Sequence, residues 1–386
     1  MTLANLILIN VDKAYGEGSR HPVIAVKRLN MTINDGEIVA LLGSSGCGKT
    51  STLRMVAGLE SITAGEARIG GRLVNDLRAA ERNVAMAFEG YALYPPLKVR
   101  DNIAFSLLRD KESKSHVEKK VGNIARLLEI EELLDRYPAN LASGQQQRVS
   151  LARALVRRAD VHLLDEPMSQ LEPELRAILR ARLKDFLIQN GLTTVFVTHD
   201  QTEAIALADR IAVMEEGELQ QFDSPETLRD RPSNLFVASF IGEPPMNVFA
   251  AEVEPGNDLI RLHVSTEATP NAFAMEVPAA WIGDKSRETL NHASEVYIGI
   301  RPHQLRIGAP LSGAKHMSLR GTVVSSQWLG DQTHIGLDVA GALLIAVTDG
   351  SIETPIDSQQ SLHVPLESLH VFDRQTQGAL LHGVRE

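Results

Sequence analysis

The densest concentration of reactive chemistry in the sequence is Gly43-Ser44-Ser45-Gly46-Cys47-Gly48-Lys49-Thr50. Three glycines in eight residues let backbone N–H groups turn inward, and N–H groups at the start of a helix bind phosphate. Lys49 is placed to reach the β- and γ-phosphates of a nucleoside triphosphate. The Thr50 hydroxyl is placed to ligate Mg2+, a hard cation that prefers oxygen. Ser51 continues the same stretch into the helix. Cys47 stands at a position the pattern does not constrain and reads as filler, not as a nucleophile.

A second cluster is the carboxylate pair Asp165-Glu166, directly after Val161-His162-Leu163-Leu164. Beside a phosphate cradle, Asp165 suits the Mg2+ shell and Glu166 suits a water-orienting base, which makes hydrolysis the natural reaction. Without the cradle the pair would read as a solvated turn. His199 follows Thr193 to Thr198 and is placed to contact a γ-phosphate, although a single histidine is more often structural.

These residues need strands and helices to hold them. Ile38 to Leu42 is a short apolar run ending in glycines, and Thr50 to Ala57 reads as a helix, giving strand, loop, helix. Val161 to Leu164 and Thr193 to Val197 read as further buried parallel strands, so the site belongs at their carboxyl ends. Asp101 to Arg136 carries apolar residues at helical spacing in a charged background and reads as a helical insertion. Met1 to Tyr15 fits a strand and lacks the layout of a signal peptide. After Leu235 the texture changes to short alternating runs, such as Glu295 to Ile300, Gly321 to Ser325 and Leu343 to Val347. A small β-rich domain is expected there.

The 386 residues are enough for two domains, and 44% apolar with 23% charged residues is ordinary for a globular chain. A net charge of -10 disfavours nucleic acid as a partner. The single cysteine excludes an internal disulfide and points to the cytoplasm. No apolar run approaches the roughly 18 residues of a membrane helix, so a membrane role must come through partners.

Leu141-Ala142-Ser143-Gly144-Gln145-Gln146-Gln147-Arg148 resembles the signature segment of ABC ATPases, whose consensus is Leu-Ser-Gly-Gly-Gln. The likeness extends over the whole chain to the ATPase subunits of carbohydrate importers, the maltose-transporter ATPase type. Tyr91-Ala92-Leu93-Tyr94-Pro95, Thr198-His199-Asp200-Gln201, Asn234-Leu235-Phe236-Val237-Ala238 and Ile300-Arg301-Pro302 stand at family landmarks. The resemblance implies an α/β P-loop ABC ATPase domain over residues 1-238, with a helical subdomain at about 90-155. An oligonucleotide-fold-like (OB-like) β-rich regulatory domain without a nucleic-acid role is implied over 239-386. It implies ATP and Mg2+ as ligands, and a head-to-tail pair of ATPase subunits in which each phosphate loop faces the partner's Ala142, Ser143, Gly144 and Gln145 equivalents. Tyr15 would stack on adenine. Two permease subunits would dock on the surface from Tyr91 to Pro96 at the cytoplasmic face of the inner membrane, and an external solute-binding protein would act indirectly. The expected function is ATP hydrolysis driving uptake of a sugar, polyol, glycerol or glycerol phosphate. Polyamine or inorganic-ion import and a weakly hydrolysing regulatory subunit are the alternatives.

Four positions depart from the family pattern. Glu89 replaces the usual glutamine; it still offers Mg2+ an oxygen but adds negative charge near the γ-phosphate. Ala142 and Ser143 replace serine and the first glycine of the signature. Glu172, in Ser169-Gln170-Leu171-Glu172, stands where the family has aspartate. This uneven loss leads to the expectation of a second, consensus-like ATPase as partner, with a homodimer as the alternative.

Overall fold

The computed structural model describes residues 6–16, 18, 21–265, 272–281, 284–308, 316–350 and 354–383. The first five residues of the expected N-terminal strand lie outside this set. Chain contacts divide the protein into two units, Met1–Pro225 and Glu226–Glu386.

The first unit has two sheets. Strands β1 (Leu6–Tyr15), β2 (Val23–Ile33), β4 (Ala64–Ile69) and β5 (Arg72–Leu73) form an antiparallel sheet in the order β2-β1-β4-β5. Strands β3 (Ile38–Gly43), β6 (Val84–Ala87), β7 (Val161–Asp165), β8 (Thr194–Thr198), β9 (Arg210–Glu215) and β10 (Glu218–Asp223) form the other, in the order β10-β9-β3-β8-β7-β6. All its neighbours are parallel except β10 against β9. β3, β7 and β8 are buried along their whole length, which explains why they read as unbroken apolar runs.

Between the sheets, Leu8, Val26 and Leu29 of the antiparallel sheet, Leu41 and Val195 of the parallel sheet, and Leu53 of helix α1 (Lys49–Ala57) share one core. The C-terminus of α1 is held by Arg82, 2% exposed. Its guanidinium donates to the carbonyls of Met55 (2.6 Å), Val56 (3.1 Å), Leu77 (2.8 Å) and Asn75 (2.9 Å). One planar cation thus bonds four backbone acceptors, two of them at the end of α1, where Met55 O also accepts from Gly58 N–H (3.2 Å). Helices α2 (Val99–Arg109), α3 (Lys114–Leu127) and α4 (Ser143–Leu155) make the helical part. Helix α5 (Pro173–Gln189) follows β7, and α6 (Gln201–Leu207) follows β8.

The second unit begins earlier than the expected residue 239. Helix α7 (Pro225–Asp230) straddles the division, and α8 (Leu235–Phe240) lies wholly in the second unit. The reason is hydrogen bonding. Leu235 N–H donates to Gln377 O and Ala379 N–H to Ser233 O, while Arg301 donates to the carbonyls of Arg229 and Ile241. Two antiparallel sheets follow. The six-stranded one has the order β13-β12-β11-β14-β20-β21, from β11 (Asn247–Glu254), β12 (Leu259–Val264), β13 (Phe273–Pro278), β14 (Glu295–Ile300), β20 (Leu369–Asp373) and β21 (Ala379–His382). The five-stranded one has the order β15-β19-β16-β17-β18, from β15 (Arg306–Ile307), β16 (His316–Trp328), β17 (Gln332–Val339), β18 (Ala342–Asp349) and β19 (Gln359–Pro365). Ile260, Val296, Leu337 and Val364 contribute to a single core from both sheets. Asn247 ties the sheets polarly, accepting from Ile345 N–H (2.8 Å) and donating to Ile345 O (2.9 Å) and Ile300 O (3.2 Å).

Candidate functional site

Four adjoining strands of the parallel sheet deliver the candidate residues at their carboxyl ends. β3 runs into Gly43–Gly48, β7 ends in Asp165 with Glu166 next, His199 follows β8, and Glu89 lies two residues past β6. Residues far apart in sequence therefore meet because the strands that carry them are neighbours.

The loop from Gly43 to Gly48 is shaped by what its glycines lack. A Cβ on Gly43 would stand 2.2 Å from Met214 O, and one on Gly48 2.3 Å from Ala25 O. Gly48 also has φ +100 and caps α1 without any side-chain acceptor, so the first N–H groups of the helix have no side-chain cap. Ser44, Ser45 and Gly46 form an exposed rim, and Lys49 is 8% exposed. The Lys49 ammonium lies over the loop, donating to Gly43 O (2.8 Å) and Ser44 O (2.7 Å). Cys47 corrects the expectation of an unconstrained filler. It is 2% exposed, with its sulfur 3.5 Å from Lys49 Nζ and against Gly43, so its size matters to the loop's packing.

At the end of β7, Asp165 Oδ1 accepts from the Thr50 hydroxyl at 3.4 Å. Burial pushes the Asp165 carboxyl up to about 6, with the nearby charges of Glu89 and then Glu166 adding to it. The Thr50 hydroxyl and the Asp165 carboxylate, with the charges of Glu89 and Glu166 acting on the latter, are oxygen donors of the type a small divalent cation prefers, although among the described residues no three acidic, histidine or cysteine side chains converge as a metal cage. Thr50 and Asp165 have the donor chemistry that suits Mg2+, and Glu89 adds charge nearby. Glu166 holds φ +47, a left-handed backbone unusual for glutamate and common at functional positions. Its N–H donates to Val197 O (3.0 Å), and its Oε1 lies 3.2 Å from His199 Nδ1. The structure brings Glu166 and His199 together; sequence spacing alone did not require it.

Tyr15 is partly exposed, and its hydroxyl is held by Ser51 Oγ (2.9 Å) and Glu60. Burial and then the Glu60 hydrogen bond raise its pKa. Ser51 therefore contacts Tyr15, tying the end of β1 to the first turn of α1. Ala142 and Ser143 are exposed at the start of α4, where Gln145 Oε1 accepts from Ala142 N–H (3.1 Å) but alanine supplies no reciprocal cap. Gly144 packs so closely that a Cβ would stand 2.8 Å from Gln170 O. Among the described residues no hydrogen bond or ion pair joins Ala142–Gln145 to Gly43–Ser51.

Gln147 was not among the expected site residues. Its buried amide donates to Glu166 O (2.8 Å) and Ser169 Oγ (3.1 Å) and accepts from Gln170 N–H (3.0 Å), fastening α4 to the loop after Glu166. Its sole sequence signal was its place in the glutamine run after Gly144.

A family model described as ABC transporter matches residues 26–169, and one described as TOBE domain matches residues 298–372. The xylose/arabinose import ATP-binding protein of Haloferax volcanii is 39% identical over 98% of this chain and 96% of its own length. The trehalose/maltose import ATP-binding protein of Thermococcus litoralis is 38% identical over 98% of this chain and all of its own. The sn-glycerol-3-phosphate import ATP-binding protein of Vibrio cholerae is 40% identical over 94% and 92%. Among solved structures, a dimeric ATP-binding cassette in a post-hydrolysis state with ADP and Pi matches with TM-score 0.53 and 29% identity. That match covers 57% of this chain and 98% of the cassette. With import ATP-binding relatives along nearly its whole length, and a phosphate loop, acidic pair and histidine at adjoining strand ends, this chain belongs to the ABC transporter family, as an ATP-binding subunit of the carbohydrate-importer type.

Proposed function

We propose that this chain binds and hydrolyses ATP to energise uptake of a carbohydrate-class solute, a sugar, polyol, glycerol or glycerol phosphate. The observation that carries the hydrolytic part is the 3.2 Å approach of His199 to Glu166, one residue beyond the Asp165–Thr50 contact. The loop from Gly43 to Gly48 and the bare N-terminus of α1 receive the phosphates, and Lys49 is the cation their β- and γ-oxygens meet. Bound Mg2+ would neutralise charge on those oxygens, with Thr50, Asp165 and Glu89 the side chains that hold it. Glu166 orients the attacking water and accepts its proton, as the Pγ–O bond breaks and ADP leaves with phosphate following. His199 fixes the Glu166 carboxylate and faces the γ-phosphate. Tyr15 offers its exposed ring to adenine.

The same reading places the chain peripherally at the cytoplasmic face of the membrane, beside two permease subunits and a second ATPase subunit. A groove of about 180 Å3 lined by Phe88, Tyr91, Tyr94, Phe105, Arg109 and Arg153 supports docking of a permease helix. Exposed Ala142, with no hydroxyl to offer a partner's nucleotide, supports a second ATPase whose own signature is intact. One lost phosphate hydrogen bond costs about 1–3 kcal/mol. Co-purification with the permease tests the pairing: a single ATPase species at two copies with full activity removes the heterodimer. Glu166→Gln tests the chemistry. ATP turnover of the assembly should fall about 100-fold or more with nucleotide affinity kept. Unchanged uptake would make this chain a nucleotide-binding regulator.

A further inference from the structure

Eight hydrogen bonds close a ring around the candidate hydrolytic centre. Glu166 Oε1 meets His199 Nδ1 at 3.2 Å. The residue after His199, Asp200, presents Oδ2 to Arg176 Nη1 at 3.5 Å. Arg176 Nη2 donates to Leu171 O (2.9 Å) and Ser169 O (3.4 Å). Ser169 in turn donates from its N–H (3.4 Å) and hydroxyl (3.3 Å) to Glu166 O, and Gln147 clamps Glu166 O and Ser169 Oγ together. The ring returns to its start.

The His199 segment is otherwise stiff. Asp200 N–H donates to Thr198 Oγ1 (3.1 Å), whose hydroxyl donates to Glu203 Oε2 (2.9 Å). Asp200 Oδ1 accepts from Glu203 N–H (3.0 Å) as the cap of α6. His199 therefore sits between two residues that cannot move independently. Its remaining adjustable tie is the Arg176–Asp200 contact, which leads to Ser169–Leu171. Arginine is suited to this place because one planar fork reaches a carboxylate and two carbonyls at once, which lysine cannot do. The guanidinium Nε is buried without a hydrogen-bond partner.

We propose that Arg176, acting through Asp200, is a positioning residue that sets His199 against Glu166 according to where the Ser169–Glu172 loop lies. This rests on the proposed function, in which a second ATPase subunit pairs with this chain, and takes the exposed Gln170 and Glu172 of that loop as the points the partner presses. A partner pressing on the loop moves one side of a closed ring, and the ring has to answer at the His199–Glu166 contact. Hydrolysis would thereby be matched to pairing without any change in nucleotide affinity.

The test uses the full chain as parent, Arg176→Gln, Arg176→Lys, Asp200→Asn and the Arg176→Gln/Asp200→Asn double variant, with folding checked by far-UV circular dichroism. Three readouts are taken: ATP hydrolysis, affinity for a fluorescent ATP analogue, and the His199 imidazole NMR resonances. Arg176→Gln and Asp200→Asn should each lower kcat about tenfold, with KM and analogue affinity within about twofold. The double variant should be no slower than either single one, since both cut the same ring. Arg176→Lys should restore part of kcat. Unchanged kcat, additive losses, or losses matched in KM and affinity would overturn the proposal. If the parent binds the analogue but hydrolyses nothing, the functional reading fails separately. The ring is then judged by the His199 resonances, which must move in Arg176→Gln and in the conservative Asp200→Asn; unmoved resonances refute it.

Discussion

Replacing Glu203 with glutamine removes a carboxyl that is 3% exposed and whose Oε1 has no hydrogen-bond partner. Burial pushes this group from the ordinary 4.5 up to about 7, against the Thr198 hydrogen bond, which favours the charged form. Asp200 raises it further, while Arg176 and His199 oppose. Between those two values the folded chain holds a proton that the unfolded chain has released. Stability therefore falls as pH rises from about 4.5 to about 7, and the full cost, on the order of 3 kcal/mol, is present above pH 7. Glutamine is neutral throughout and keeps an acceptor for Thr198. Its amide donors bring a cost of their own, about 1–3 kcal/mol, that does not vary with pH. The readable quantity is thus the change with pH in the stability difference between variant and parent. Urea unfolding followed by far-UV circular dichroism at pH 5 and pH 8, with hydrogen exchange of the α6 amides as a local reading, measures it. The difference should move in favour of Glu203→Gln by on the order of 3 kcal/mol. An equal difference at both pH values would refute the reasoning.

Three more expectations follow from single positions. Gly48→Ala puts a Cβ 2.3 Å from Ala25 O at φ +100. It should lose about 2 kcal/mol or more and most nucleotide affinity, while Gly46→Ala, open at φ +80, should lose about 1 kcal/mol; equal losses in thermal unfolding and nucleotide titration would contradict this. Arg82→Met takes the side-chain donor from four carbonyls, of which Met55 O keeps Gly58 N–H, and should cost about 3 kcal/mol in urea unfolding; a loss under 1 kcal/mol would show those carbonyls find other partners. Gln147→Leu orphans the Gln170 N–H and frees the loop after Glu166, so kcat should drop several-fold with nucleotide affinity kept, as stopped-flow binding beside steady-state hydrolysis would show.

The cradle was legible because phosphate chemistry demands glycines, lysine and a hydroxyl within one short stretch, and Gly43 to Thr50 supplies them consecutively. The buried strands β3, β7 and β8 were legible for a related reason, being apolar throughout and ending in polar chemistry. What escaped was set by distance along the chain. Arg176 meets Asp200 from 24 residues away and Gln147 meets Glu166 from 19, and no local pattern announces either pairing. The antiparallel sheet β2-β1-β4-β5 was foreseen only as an N-terminal strand, because its members are half-buried and broken by bulges. Cys47 was misjudged because a motif says which positions need a particular residue, not which side chains face the core.

The winding of residues 226–241 into the second unit bears on how such chains can be pieced together. Arg301 is deeply buried, with burial pushing its pKa down to about 10, and it rests on carbonyls of Arg229 (2.9 Å) and Ile241 (2.6 Å). The last hairpin leans on Ser233, Asn234 and Leu235 in the same way. A recombination point at residue 240, where the change of sequence texture suggests one, would leave Arg301 its Ile241 acceptor but part it from its native Arg229 neighbour, and part the final hairpin from Ser233, Asn234 and Leu235. The compact unit begins at Glu226, so exchanges between relatives that respect this earlier seam should fold more stably than those made at the visible change in texture.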